Sequence, residues 1–212
     1  MSAFLGPIHH WLFNKIQVVE SRAFALAGAL DESGQGSLNG ALEEYGDKLE
    51  GADIAEILGD NSIHQFLSGL IARVEVLEAK IMDAANGNHE LLLSAAEKHG
   101  RETAQKAISA RGSKPESLDE IGQCLNDFCL EGMPCDPGAT FEGAGDKLMY
   151  GHTACNHLEN WGYTSADPKK MCMLTCAWTK GLVSGLSENA NFEVKNTIAN
   201  GADSCLAEIK LG

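Results

Sequence analysis

Six residues in the second half of this chain have the types and spacing to do chemistry: His152, Cys155, His157, Cys172, Cys176 and Cys205. His152-x-x-Cys155-x-His157 places three soft or borderline donors close together, and a strand running into a turn can converge two of them on zinc or iron. The paired C-x2-C or H-x3-H arms of a structural zinc site are absent. Cys172 and Cys176 stand four apart, so on a helix they share a face with β-carbons about 6 Å apart. That is too far for a good disulfide and suits two thiolates on one metal. Cys205 is the remaining thiol candidate for the same ion. A second chemistry needs no metal: a thiolate nucleophile at Cys176 or Cys155, with His152 or His157 as the partner base. Against both stands the plainer reading that buried thiols fill core space as small hydrophobes.

All seven cysteines lie between Cys124 and Cys205, so chemistry is expected in that half. His9, His64 and His99 fit satisfied core or surface positions better than ligands. His10, beside Trp11, is the exception, because a docked first helix could carry it to the cysteine-rich half. With Trp178 and Thr197 it completes the expected contacts of a bound ligand or cofactor. No G-x-S-x-G elbow, phosphate-cradling G-x-x-x-x-G-K-[ST] loop or G-x-G-x-x-G after a strand is present, and Gly143-Ala-Gly145 reads as a turn.

The elements that must position these residues follow from apolar periodicity. Ile8, Trp11, Leu12, Ile16, Val19, Leu26 and Leu30 recur near a 3.6 period behind Pro7, predicting a long first helix ended by the loop 31–37. An acidic helical stretch over 38–58 breaks near Gly51. Ile63, Phe66, Leu67, Leu70, Ile71, Val74, Leu77 and Ile81 form the clearest stripe, predicting a helix from Ser62 to Ala85 stopped by Asn86-Gly87-Asn88. A further helix runs from about His89 to Ser109. Ser117-Leu-Asp-Glu120 resembles a capping box for the next one, which ends at Gly132. The irregular segment Glu131–Gly138 has the form of a site wall, a form more often taken by a plain connector.

Residues 139–155 suggest one or two short strands, and 168–186 returns to helix with Met171, Leu174, Trp178, Leu182 and Gly185 on one face. Cys172, Cys176, Thr179 and Val183 lie on the opposite face, so this helix is apolar on both sides. Either both are packed or one lines a pocket. Gly181-x-x-x-Gly185 predicts close approach to another backbone. The end of the chain alternates around Asn200-Gly201, which signals a β-hairpin. The expected class is α+β: a helical region over 1–111, then an α+β ligand-binding-type domain over 112–212 ending in the hairpin.

A net charge of −14 over 212 residues, spread over both halves, excludes nucleic acid and anionic membranes as natural partners. The first residues lack a basic segment followed by an apolar core, and no run approaches the roughly 20 apolar residues that span a bilayer. A cytoplasmic protein with free thiols is expected, with a small molecule and a second copy of the chain as partners.

The segment Cys172 to Ile209 resembles the C-terminal part of 4-vinyl-reductase-type ligand-binding domains. It is still more similar to the L-2-aminothiazoline-4-carboxylate hydrolase-like family. Cys176, Gly181 and Gly185 carry the helix part of that resemblance, and Thr197-Ile-Ala-Asn-Gly201-x-x-x-Cys205 the hairpin part. The metal-binding members of the first group show E-x-x-C-x-x-x-G-x-x-x-C at this hairpin, where the present chain has Val194, Thr197, Gly201 and Cys205. Two ligands of that pattern are therefore replaced. The resemblance implies a ligand-binding fold. Two functions follow: a small-molecule, metal or cofactor-binding protein with a Cys/His-lined pocket, or a hydrolase of a small cyclic C–N/C–S substrate using a thiolate or metal-bound water.

Overall fold

A computed structural model describes residues 5–34, 38–144 and 146–212. Phe4, the last residues of the expected loop 31–37 and Gly145 of the expected turn lie outside the described residues. The first helix, α1, spans Pro7–Glu32. Proline suits its first turn because the missing N–H had no helical acceptor, and His9 Nδ1 accepts the Gly6 N–H at 3.0 Å. The acidic stretch divides into α2 (Asn39–Tyr45) and α3 (Ile54–Leu58), with Gly51 at φ +76° between them. α4 (Ile63–Ala84) buries the predicted stripe against α1, and Asn86 and Gly87, both at positive φ, turn the chain into α5 (His89–Arg111).

Charge is also buried in this helical layer. The Arg22 guanidinium of α1 grips both carboxylate oxygens of Glu78 of α4, at 2.5 and 2.7 Å. Fork-to-carboxylate geometry satisfies both partners, so the pair fixes how α1 lies on α4.

The second half opens with α6 (Leu118–Phe128), whose first turn is capped by Ser117 accepting the Glu120 N–H. Strands β1 (Thr140–Ala144) and β2 (Lys147–His152) follow, then the one-turn helix α7 (Leu158–Trp161). α8 (Pro168–Leu186) is capped by Asp167, whose carboxylate accepts the Lys169 N–H at 2.9 Å. Strand β3 (Ala190–Asn196), a 3₁₀ turn at Ile198–Asn200 and strand β4 (Cys205–Leu211) complete the chain. The α+β class and the terminal hairpin are as the periodicity predicts. The four strands form one antiparallel sheet in the order β1-β2-β4-β3. β4 is central, and its register sets His152 opposite Cys205.

One hydrophobic core runs continuously through the helical layer, α6, α8 and the inner face of the sheet. Its densest seam is α5 against α8. There Gly100 faces Trp178 and Leu182, while Gly181 and Gly185 face the backbone at Glu97 and Arg101. The absence of β-carbons lets two helix backbones touch, as the Gly181-x-x-x-Gly185 spacing predicts. Among the described residues, no helix is long and apolar enough to cross a membrane.

Candidate functional site

The two faces of α8 have different neighbours. Met171, Leu174, Trp178 and Leu182 are buried in the core. Cys172, Thr175, Cys176 and Thr179, at helical spacing on the other face, form one wall of a pocket beneath the sheet. The strands supply the opposite wall through their two-residue alternation: Tyr150 and His152 of β2, Phe192, Val194 and Asn196 of β3, Cys205 and Ala207 of β4. The 154–157 turn and Trp161 of α7 close a third side, and Glu131 a fourth. The cavity between these walls is about 90 Å³ and opens to solvent.

All six predicted cysteine and histidine candidates therefore meet around one pocket. Thr197 lines it as well. Two other expected contacts stand elsewhere. Trp178 is 2% exposed on the core side, where its Nε1–H donates to His99 Nδ1 at 3.0 Å. His10 is exposed on the first turn of α1. That helix does dock on the second half, through Trp11 Nε1–H to Asp127 Oδ1 at 3.1 Å, but it carries Trp11 inward rather than His10. Cys124 and Cys129 belong to the core, and Cys135 is exposed.

Buried carboxylates organise the two histidines. Glu75 of α4 bonds His157 Nδ1 at 2.7 Å through one oxygen and accepts from Asn160 Nδ2 at 2.6 Å through the other. Burial pushes the His157 imidazolium toward losing its proton, yet the charge and hydrogen bond of Glu75 outweigh it and raise its pKa to about 9. The ring also stacks on Trp161 with centroids 5.2 Å apart. Glu131, from the irregular segment after α6, bonds His152 Nε2 and accepts from the Tyr150 hydroxyl, both at 2.5 Å. Burial pushes this carboxyl up, but the hydrogen bonds from His152 and Tyr150 and the two imidazole charges hold it below the usual range.

The thiols differ from one another. The Cys176 thiol, one helical turn beyond Cys172, donates toward the Cys172 sulfur. This bond outweighs burial and sets Cys172 well below the ordinary thiol range, with Thr197, His157 and His152 acting in the same direction. Cys176 moves oppositely, kept protonated by the hydrogen bond it donates and by burial. Burial also raises Cys155 and Cys205, although the Ile198 N–H donates to the Cys205 sulfur at 3.2 Å. Cys172 is thereby the pocket thiol most favoured as thiolate.

Thr197 is 6% exposed, and its Oγ1 leans on the Cys172 sulfur without a hydrogen bond of ordinary length. A buried hydroxyl without a partner costs about 1–3 kcal/mol. Thr197→Val should accordingly raise stability by about 1 kcal/mol in urea unfolding and lift the pH at which Cys172 becomes reactive. An unchanged or lower midpoint would show that the hydroxyl is satisfied in solution.

His157 makes stability depend on pH. Its folded-state pKa lies above the 6.5 of an exposed imidazole, so its contribution is fully present below pH 6.5 and is lost as pH rises through about 9. His99 acts at the other end. Burial beside Arg22 lowers it to about 4, so stability falls as acidification passes from 6.5 toward that value. Unfolding midpoints across this range should fall on the alkaline side, and Glu75→Gln should flatten that limb; an unaltered limb would remove His157 as its source.

Among the described residues no three His, Cys, Asp or Glu side chains stand as a group able to hold an ion. His152 and His157 each commit one ring nitrogen to a carboxylate. Sequence reasoning did not identify Glu75, Glu131 or Tyr150. A signal for Glu75 existed: with Glu78 it sits four residues after Ile71 and Val74, on the edge of the apolar stripe. Glu131 lies in the irregular segment expected to wall a site. Comparison with models of known protein families, and with curated proteins, finds no match to this chain.

Proposed function

We propose that this chain is a small-molecule-binding protein whose pocket between α8 and the sheet takes a compact, mostly apolar ligand bearing a soft or electrophilic centre for Cys172. One observation carries this reading: the two Cys/His groups line a single pocket whose remaining wall is largely apolar, with Phe192, Val194, Trp161 and Leu206. Apolar walls with a few converging polar groups are the usual form of a ligand site. Mass spectrometry and metal analysis of the purified protein, then displacement of an anilinonaphthalene dye by compact apolar compounds, would test it. Binding is expected to disappear in Ala154→Trp, which fills the pocket. Dye and ligand binding unaffected by that substitution would refute the assignment.

The lowered Cys172 thiol beside two histidine–carboxylate pairs favours a second reading, hydrolysis of a small C–N or C–S substrate. Thiolate, imidazolium and carboxylate are the parts that nucleophilic catalysis by cysteine requires. The thiazoline-type substrates implied by the hairpin resemblance are the first to assay. Turnover that survives Cys172→Ala would exclude the thiolate route.

A further inference from the structure

Three elements bring to the pocket the parts of covalent acyl transfer. Cys172 of α8 offers its sulfur to the cavity. His157 holds Glu75 of α4 through Nδ1, and its Nε2 makes no hydrogen bond among the described residues. Glu75 is 2% exposed and bonded through both oxygens, so it cannot swing away. A nucleophile, an imidazole with its distal nitrogen unused and a carboxylate fixing the proximal one are the three parts of a catalytic triad, here gathered at one cavity. Thr197 adds a second observation: its Oγ1 is buried on the same cavity beside Cys172 and has no hydrogen bond of ordinary length. A donor in that condition awaits an acceptor from outside the chain.

The alternative imidazole is less suited. His152 commits its distal Nε2 to Glu131, and that carboxylate is shared with Tyr150. The walls beyond the sulfur, Phe192, Val194 and Leu206, suit a short alkyl chain.

We propose that the pocket is an acyl-transfer site for short apolar thioesters, with Cys172 as nucleophile, His157 as acid–base, Glu75 as its positioning residue and the Thr197 hydroxyl as donor to the developing oxyanion. This deepens the hydrolase reading and rests on it. The Cys172 thiolate forms a bond to the thioester carbon, and the carbonyl π pair moves onto oxygen beside Thr197. Collapse breaks the C–S bond of the substrate, and the departing thiolate takes the proton from His157 Nε2. Water then attacks the acylated Cys172 while His157 removes its proton. The carboxylic acid leaves, and the thiolate and imidazolium are restored. No oxidant or metal is consumed.

The test uses the full chain with S-phenyl thiobutyrate, following thiophenol release and intact mass. The expected result is a stoichiometric burst with butyryl on Cys172, then slower turnover. Cys172→Ser should lose the burst. His157→Asn should accumulate acyl protein, with turnover about 100-fold lower. Glu75→Gln should lower kcat about 100-fold with KM unchanged, a split that a loosened fold would not give. Thr197→Val should lower kcat by a similar factor. If a variant fails to fold, prior alkylation of Cys172 in the wild-type chain replaces it and should abolish the burst.

Acylation of another cysteine, a burst surviving the loss of Cys172, or dependence on His152 in place of His157 would each overturn the proposal. Thioester that displaces the dye without acylating Cys172 overturns acyl transfer and leaves the binding reading standing. Thioester that neither displaces the dye nor reacts overturns acyl transfer, and dye that fails to bind at all overturns the binding reading with it.

Discussion

Carboxymethylation of the folded chain at about pH 6.5, in a Cys135→Ser background, is expected to fall on Cys172 at least about tenfold faster than on any other cysteine. The reason is the contrast among the thiols sharing the pocket. Cys172 is held toward the thiolate by the hydrogen bond from Cys176, whereas Cys155, Cys176 and Cys205 are all held protonated. Each unit of pKa difference is worth about tenfold in thiolate at that pH, and a less basic thiolate gives back roughly half of this on the logarithmic scale. Enough remains for clear selectivity. Cys176→Ala removes the largest influence on Cys172, so the pH midpoint of its alkylation should rise. Peptide mapping that finds Cys155 or Cys205 labelled first, or a midpoint indifferent to Cys176→Ala, would overturn this account of the site.

Gly181→Ala is expected to be among the most damaging single substitutions in the chain, costing about 3 kcal/mol or more. A β-carbon there collides with the carbonyl oxygen of Glu97, and backbone on both sides of the contact cannot rotate aside. For a domain of this size the melting temperature should fall by about 6–12 °C. Gly100→Ala on the facing helix meets the Trp178 carbonyl and Leu182 nitrogen, the latter at 2.7 Å, and should do similar harm. The double substitution should cost less than the sum, because both separate the same seam. Separation of α8 from α5 also moves Cys172 and Cys176 relative to His157, so ligand binding should weaken in step with stability. A melting temperature unchanged in Gly181→Ala would mean that the helices do not touch at this point.

The helices and the hairpin were readable because each is recorded in local periodicity. α4 follows its apolar stripe to within a residue or two, and the break between α2 and α3 falls at Gly51 as expected. α7 escaped notice because four residues carry too little period to read. The expected boundary near 111 falls in the turn between α5 and α6, but a single core crosses it. Apolar stripes on α5 and α8 do not say which stripe covers which.

The site divides in the same way. Sequence alone determined that α8 has two apolar faces, that Cys172 and Cys176 share one of them, and that glycines on the other allow close packing. Spacing along a helix is a local property, and local properties are written in the order of residues. Only the tertiary structure decided that His152, Cys155 and His157 stand across the same cavity from those thiols. Only it selected the carboxylates, for Glu75 and His157 are 82 residues apart, and no pattern along the chain links them. Partners then outweighed burial: Glu75 raises the pKa of His157, and Cys176 lowers that of Cys172. Such shifts depend on what excludes water and what donates a hydrogen bond, and both are fixed when the chain closes on itself.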